Sequence, residues 1–233
     1  KDDWRYNKLL SEYYLEKKQN KEALNIAGSF FKSHPKDYIM GMLYAKTLLL
    51  NERFEECSWV LSSINILPFE GATIGRELYR EALLMQALNS MKNKNDKKAI
   101  SLIEESKKFP ENLGVGKPYD ADLDERLEDW MSYLVYQKSD KNKSQSYLEN
   151  IVKFSLQKNK VARNLFPENA LISAWAIERT SSRDEALRFL DDQLNRDPNN
   201  KSILWAKQIF DKESPAFSET ESSNMRVIKA LLK

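Results

Sequence analysis

Apolar residues recur along this chain at three- and four-residue intervals. Leu24, Ala27, Phe30 and Phe31 form one such face, and Leu187, Leu190 and Leu194 form another. Leu127, Trp130 and Leu134, then Leu148 and Ile151, repeat the pattern further on. This is the period of a helix with one face turned to a core. It predicts helical hairpins at about 4–33, 37–66, 73–108, 120–158 and 168–196, a lone helix at about 199–213 and a short last helix at about 219–232.

Small residues and prolines punctuate that pattern. Ala23 is followed twelve residues later by Pro35, and Ala186 by Pro198; Cys57 precedes Pro68, and Ala99 precedes Pro110, by eleven. Twelve residues before Cys57, Ala99 and Ala186 lie Ala45, Ala87 and Ala174. A small residue suits a place where two helices cross closely, and a proline suits the end of a helix it cannot continue. In the fourth hairpin Ser146 takes the small position. The markers Ala23, Cys57, Ala99, Ser146 and Ala186 are spaced by 34, 42, 47 and 40 residues.

A repeated helix pair whose first interval is 34 residues and whose later intervals are stretched, with small residues and a following proline at these offsets, resembles an irregular tetratricopeptide repeat. The resemblance covers most of the chain. It implies an all-α fold of antiparallel helical hairpins stacked into a right-handed superhelix. It also implies one continuous domain over 1–213, closed by a loop and capping helix over 214–233. The run Phe109-Pro110-Glu111-Asn112-Leu113-Gly114-Val115-Gly116-Lys117-Pro118 resembles a stretch in the carboxy-terminal repeat regions of large bacterial proteins of unknown function. That narrower likeness implies a bacterial repeat domain fused to further domains. The chain opens at Lys1 with neither an initiator Met nor an apolar leader, which predicts a processed protein or a fragment.

Composition excludes several function classes. Lys and Arg number 37 against 35 Asp and Glu, so the chain carries no net electrostatic footprint for nucleic acid. No run of 18 apolar residues exists, so no membrane insertion is expected. These features suit a soluble protein, cytoplasmic or periplasmic. Cys57 is the only cysteine and His34 the only histidine, which leaves neither a disulfide nor a closed zinc site.

Candidate chemistry is thin. Gly114-Val115-Gly116-Lys117 invites a phosphate-loop reading, but Glu111 and Pro118 stand where that motif needs Gly and Ser or Thr. The acidic run Asp120, Asp122, Asp124, Glu125, Glu128 and Asp129 lacks the central Gly of a calcium loop and reads as helix-start chemistry. His34 suits the end of a helix. Neither catalytic residues, nor a metal, nor a cofactor is expected. Of the five tryptophans, Trp59 and Trp205 are assigned to the core, while Trp175 is a candidate for the surface.

In such an array the first helix of each hairpin lines the concave side, where repeat proteins hold peptides. Aligning the markers places Lys8, Met42, Leu84, Met131 and Leu171 in one row, and Glu12, Lys46, Leu88, Val135 and Trp175 in the next. The candidate partner-binding residues are therefore Met42, Lys46, Leu84, Leu88, Met131, Val135, Leu171 and Trp175. Two outcomes compete: packing of the rows between neighbouring helices, or an open apolar strip. The expected function is non-catalytic protein or peptide binding, as a scaffold. The alternative is a carbohydrate- or small-ligand-binding accessory domain of a larger bacterial enzyme, which two exposed rings on the concave side would favour.

Overall fold

The structure is a computed structural model that describes residues 3–68, 73–119, 123–157, 166–213 and 221–233. Every regular element among the described residues is a helix: α1 (Trp4–Glu16), α2 (Asn20–Ser33), α3 (Tyr38–Leu50), α4 (Phe54–Ser63), α5 (Ile74–Lys92), α6 (Asp96–Ser106), α7 (Arg126–Tyr136), α8 (Lys141–Leu156), α9 (Ala170–Thr180), α10 (Arg183–Arg196), α11 (Lys201–Phe210) and α12 (Ser223–Leu231). Short 3-10 turns lie at Glu111–Leu113 and Pro167–Asn169. The fold is all-α, with the helices joined as antiparallel hairpins by tight turns. No described helix is long and apolar enough to cross a membrane. Asp120 and Asp122, and residues 214–220 of the expected tail loop, lie outside the described residues.

Local chemistry sets the helix ends. Asp37, Asp140, Ser182 and Ser222 each accept a hydrogen bond from the amide three residues on, and Asn200 accepts from Ser202 and Ile203. Each such cap satisfies an amide that the helix leaves open and is worth about 1 kcal/mol. The hairpin turns carry a repeat of their own. Lys18, Glu52 and Lys94 adopt left-handed backbone, at φ 57°, 59° and 56°. Each stands seven residues after a buried small residue, Ser11, Ala45 and Ala87. The same turn closes the first three hairpins at the same register.

The chain divides into two compact units. The first spans 1–90 with 104–117. In it α1 packs on α2 and α3, α2 on α3, and α3 on α4. The crossings are close. The Ser11 hydroxyl donates to the Ala23 carbonyl of α2 at 3.1 Å. A Cβ on Gly28 would come 2.7 Å from the Tyr44 ring, and one on Gly41 would meet Phe31 and Ile64. The segment at 107–117 is strapped to the end of α4. Asn112 donates from its side chain to the Leu61 and Ile64 carbonyls, and its own carbonyl accepts from Ile66 at 2.8 Å. Gly114 turns at φ 71°, and any side chain there would strike the Ile66 carbonyl oxygen. The glycine run that invited a phosphate-loop reading is thus a strap that closes on a helix end.

The second unit spans 91–103 with 118–233. In it α7 packs on α8 and α9, α8 on α9, α9 on α10 and α11, and α10 on α11. A buried polar network ties several of these helices together. Arg126 grips Asp124 through Nε and Nη2, at 2.8 and 2.6 Å, and donates from Nη1 to Ser173 at 2.9 Å. Ser155 of α8 donates to the same Ser173, and Asn169 donates to Asp124. Helix α12 joins through Asn224, which donates to Asn169 at 2.9 Å, and through Ser222, which bonds Glu168. Val227 and Ile228 of α12 are fully buried.

Two sequence expectations need correction. Ser146 is exposed and cannot be the crossing residue of the fourth hairpin. Ser132 and Ser144, both buried and twelve apart like Ala45 and Cys57, hold that place. Trp59 is 68% exposed and lies outside the core, whereas Trp205 is buried as expected. The exposed ring sits on α4 between Cys57, Val60 and Leu61, which face inward.

Cys57 has no open surface. Burial and then the nearby Glu81 carboxylate push its thiol pKa up to about 12. A thiol reagent added to the native protein at pH 8 is expected to leave Cys57 unmodified over hours, and to react within minutes in denaturant. Rapid labelling without denaturant would place this residue elsewhere.

Candidate functional site

The eight candidate residues separate by burial. Leu84, Leu88, Met131, Val135 and Leu171 are buried. Met42 and Trp175 are half-buried, and Lys46 is exposed. A buried side chain offers little to a partner, so five of the eight candidates belong to the core. This is the packed outcome, and its cause is the close spacing of the first helices: α1 touches α3, α7 touches α9, and α9 touches α11. A Cβ added at Gly75 would lie 3.9 Å from the Met42 sulfur, so α5 passes close to that side chain. In α1 the equivalent row positions are occupied by an ion pair, Lys8 with Glu12 at 2.8 Å.

The corrected register changes the fourth hairpin. With Ser132 as its crossing residue, the positions matching Lys46 and Trp175 fall on Tyr133, not Val135. Those matching Met42 and Leu171 fall on Asp129, not Met131. Tyr133 and Trp175 both contact Trp130.

A four-residue aromatic and cationic cluster results. The Trp175 ring of α9 stacks on Trp130 of α7, with centroids 5.3 Å apart and planes 30° apart. Trp130 leans on Tyr133 at 5.1 Å. The Arg179 guanidinium, one helical turn beyond Trp175, lies 4.6 Å from the Trp130 centroid and 5.9 Å from that of Tyr133. It also donates to the Trp175 carbonyl at 3.2 Å. The Tyr133 hydroxyl accepts from Gln137 at 2.9 Å. Trp130 and Tyr133 are buried, Trp175 is half-open and Arg179 is exposed. Sequence reasoning reached Trp175 and missed Arg179. A cation in the last turn of a helix reads as dipole chemistry, and nothing in the spacing announces an indole beneath it.

The remaining candidates have structural partners. His34 stacks on Phe30 at 4.4 Å and lies 3.3 Å from the Phe30 carbonyl, at the end of α2. Asp124 of the acidic run is the carboxylate held by Arg126. No group of three or more His, Cys, Asp and Glu side chains among the described residues is arranged to hold a metal ion. No family model, curated protein or solved structure matches this chain.

Proposed function

We propose that this protein is a non-catalytic helical-repeat module of tetratricopeptide type that binds a protein or peptide at the Trp175–Arg179 edge of its second unit. The supporting observation is a half-open indole, fixed from behind by buried Trp130, with an exposed guanidinium one turn away. Trp and Arg are the side chains that most often dominate protein interfaces. A ring already held by stacking loses little freedom when a ligand covers it. The guanidinium presents planar donors to a backbone carbonyl or a carboxylate. Burial of Leu84, Leu88 and Leu171 breaks the candidate rows, and the half-open Trp175 with Arg179 supports binding at this edge rather than along a continuous apolar groove.

The carbohydrate reading gains nothing from the ring pair. Trp130 is buried beneath Arg179 and Trp175, so one half-open ring remains where a sugar platform would present two.

Selection of peptides displayed on phage against the intact protein tests the proposal. Enriched peptides are expected to lose at least about tenfold in affinity against Trp175→Ser and Arg179→Glu, a change of about 1.4 kcal/mol each. Enrichment indifferent to both substitutions, or none at all, contradicts it.

A further inference from the structure

Helix α1 carries an outward stripe of large side chains. Tyr6, Leu9 and Tyr13, at i, i+3 and i+7, are 53%, 68% and 52% exposed. Exposed apolar residues scattered singly are ordinary, but three on one helical face are not. The repeat register identifies what that face is for. Ser11 of α1, Ala45 of α3 and Ala174 of α9 are the buried small residues of their helices. Counted from them, Tyr6, Leu9 and Tyr13 correspond to Met40, Leu43 and Thr47 in α3, and to Asn169, Ile172 and Ala176 at α9. All six of those counterparts are buried; in α7 Leu127 and Trp130 are buried and Leu134 half-buried, and in α5 Ala82 is buried, Met85 half-buried and Asn89 exposed.

What distinguishes the helices is the hairpin ahead of each. Helix α3 packs on α1 and α2, and α9 packs on α7 and α8. Helix α1 packs on α2 and α3, both of which follow it. A helix that ends a stack for good needs a polar outer face. Here the outer face holds two tyrosines and a leucine, with Arg5, Glu12 and Glu16 at its margins and the Lys17 ammonium 5.7 Å from the Tyr13 ring centroid.

We infer that the outer face of α1 is a docking face for one further helical hairpin of the same kind, stacked ahead of α1 as the α1–α2 hairpin is stacked ahead of α3. The α2–α3 contact states the chemistry of the occupant. Helix α2 meets α3 with Gly28 against the Tyr44 ring and with Phe31 5.7 Å from that ring. The position matching Tyr44 is Leu10, half-buried on α1. The incoming second helix therefore carries a Gly or Ala over Leu10 and an aromatic side chain three residues later.

The test extends the intact chain with its own hairpin. A copy of residues 4–37 is placed ahead of Trp4, so that the copied turn His34-Pro35-Lys36-Asp37 leads into α1 as it natively leads into α3. Tyr6→Glu, Leu9→Lys and Tyr13→Lys within the copy make its own outer face polar. The expected result is a rise in Tm of at least about 5 °C. Nitration of Tyr6 and Tyr13 in the native α1 is expected to slow about tenfold as the stripe is covered. Leu9→Glu in the native α1 of the extended chain is expected to cancel both effects. Tyrosines that stay as reactive as in the unextended chain overturn the inference. So does an unextended chain that sediments as a dimer and is made monomeric by Leu9→Glu, because a second copy would then be the occupant.

Discussion

Replacing Asp124 with Ala is expected to destabilise the protein by about 3–5 kcal/mol, the cost of leaving a buried arginine without its counter-ion. The side chains of Asp124 and Arg126 are both nearly closed to solvent. Asp124 accepts four hydrogen bonds: three from Arg126, through its backbone amide, Nε and Nη2, and one from Asn169. The same carboxylate links α7 to α9 and, through Asn169, to Asn224 of α12. Loss is therefore expected to reach the C-terminal helix, with faster hydrogen exchange in α12 than in α2. The pH dependence has a definite sign. Burial alone would raise the Asp124 pKa; the Arg126 charge and the hydrogen bonds outweigh it and hold the carboxyl below its ordinary value. A depressed folded pKa gives stability that is complete above the unfolded carboxylate pKa, about 4, and that fades as pH falls through the folded value. Urea unfolding of the wild type and of Asp124→Asn at pH 7 and at pH 3 measures this. The gap between the two proteins is expected to narrow at pH 3; an unchanged gap would mean that the ion pair is not what stabilises.

The second large effect is expected at Leu171 and Met131, two candidate groove residues that the structure buries completely. Leu171→Ala and Met131→Ala are each expected to cost about 2–5 kcal/mol, because neighbouring helices refill such a void only in part. Lys46→Ala, in a matching row but exposed, is expected to stay within about 0.5 kcal/mol of wild type. Denaturant midpoints for Leu171→Ala and Lys46→Ala separate a packed row position from an open one, while Met131→Ala reports a core side chain outside the corrected row. Small losses at Leu171 and Met131 would return those side chains to a surface.

The hairpins were legible because crossing distance is set by Cβ volume, and volume is written in the sequence. Ala23, Ala45, Cys57, Ala87, Ala99, Ala174 and Ala186 all have no open surface. The fourth hairpin was misaligned because Ser144 and Ser146 are the same residue two positions apart, and only packing chooses between them. That slip of two residues moved the candidate row from Asp129 and Tyr133 to Met131 and Val135. Trp59 lies outside the core because its position on α4 falls on the solvent side, which residue type alone does not specify. The Asp124 network is invisible in the sequence because its partners come from distant segments: Asn169 lies 45 residues beyond Asp124, and Ser173 lies 47 beyond Arg126. Trp175 was legible from the register, but its stacking partner belonged to the misaligned hairpin and its cation to a helix end.

The proposal that a peptide binds at the Trp175–Arg179 edge is tested most directly at the indole N–H groups. The chain has five tryptophans, each giving one resolvable indole signal in a nitrogen–proton NMR spectrum. Titration with a selected peptide is expected to shift the Trp175 signal, identified by its disappearance in Trp175→Phe. The signal of Trp59, exposed on α4, is expected to stay in place. A peptide that moves Trp59 and leaves Trp175 unmoved would contradict the assignment of the binding edge.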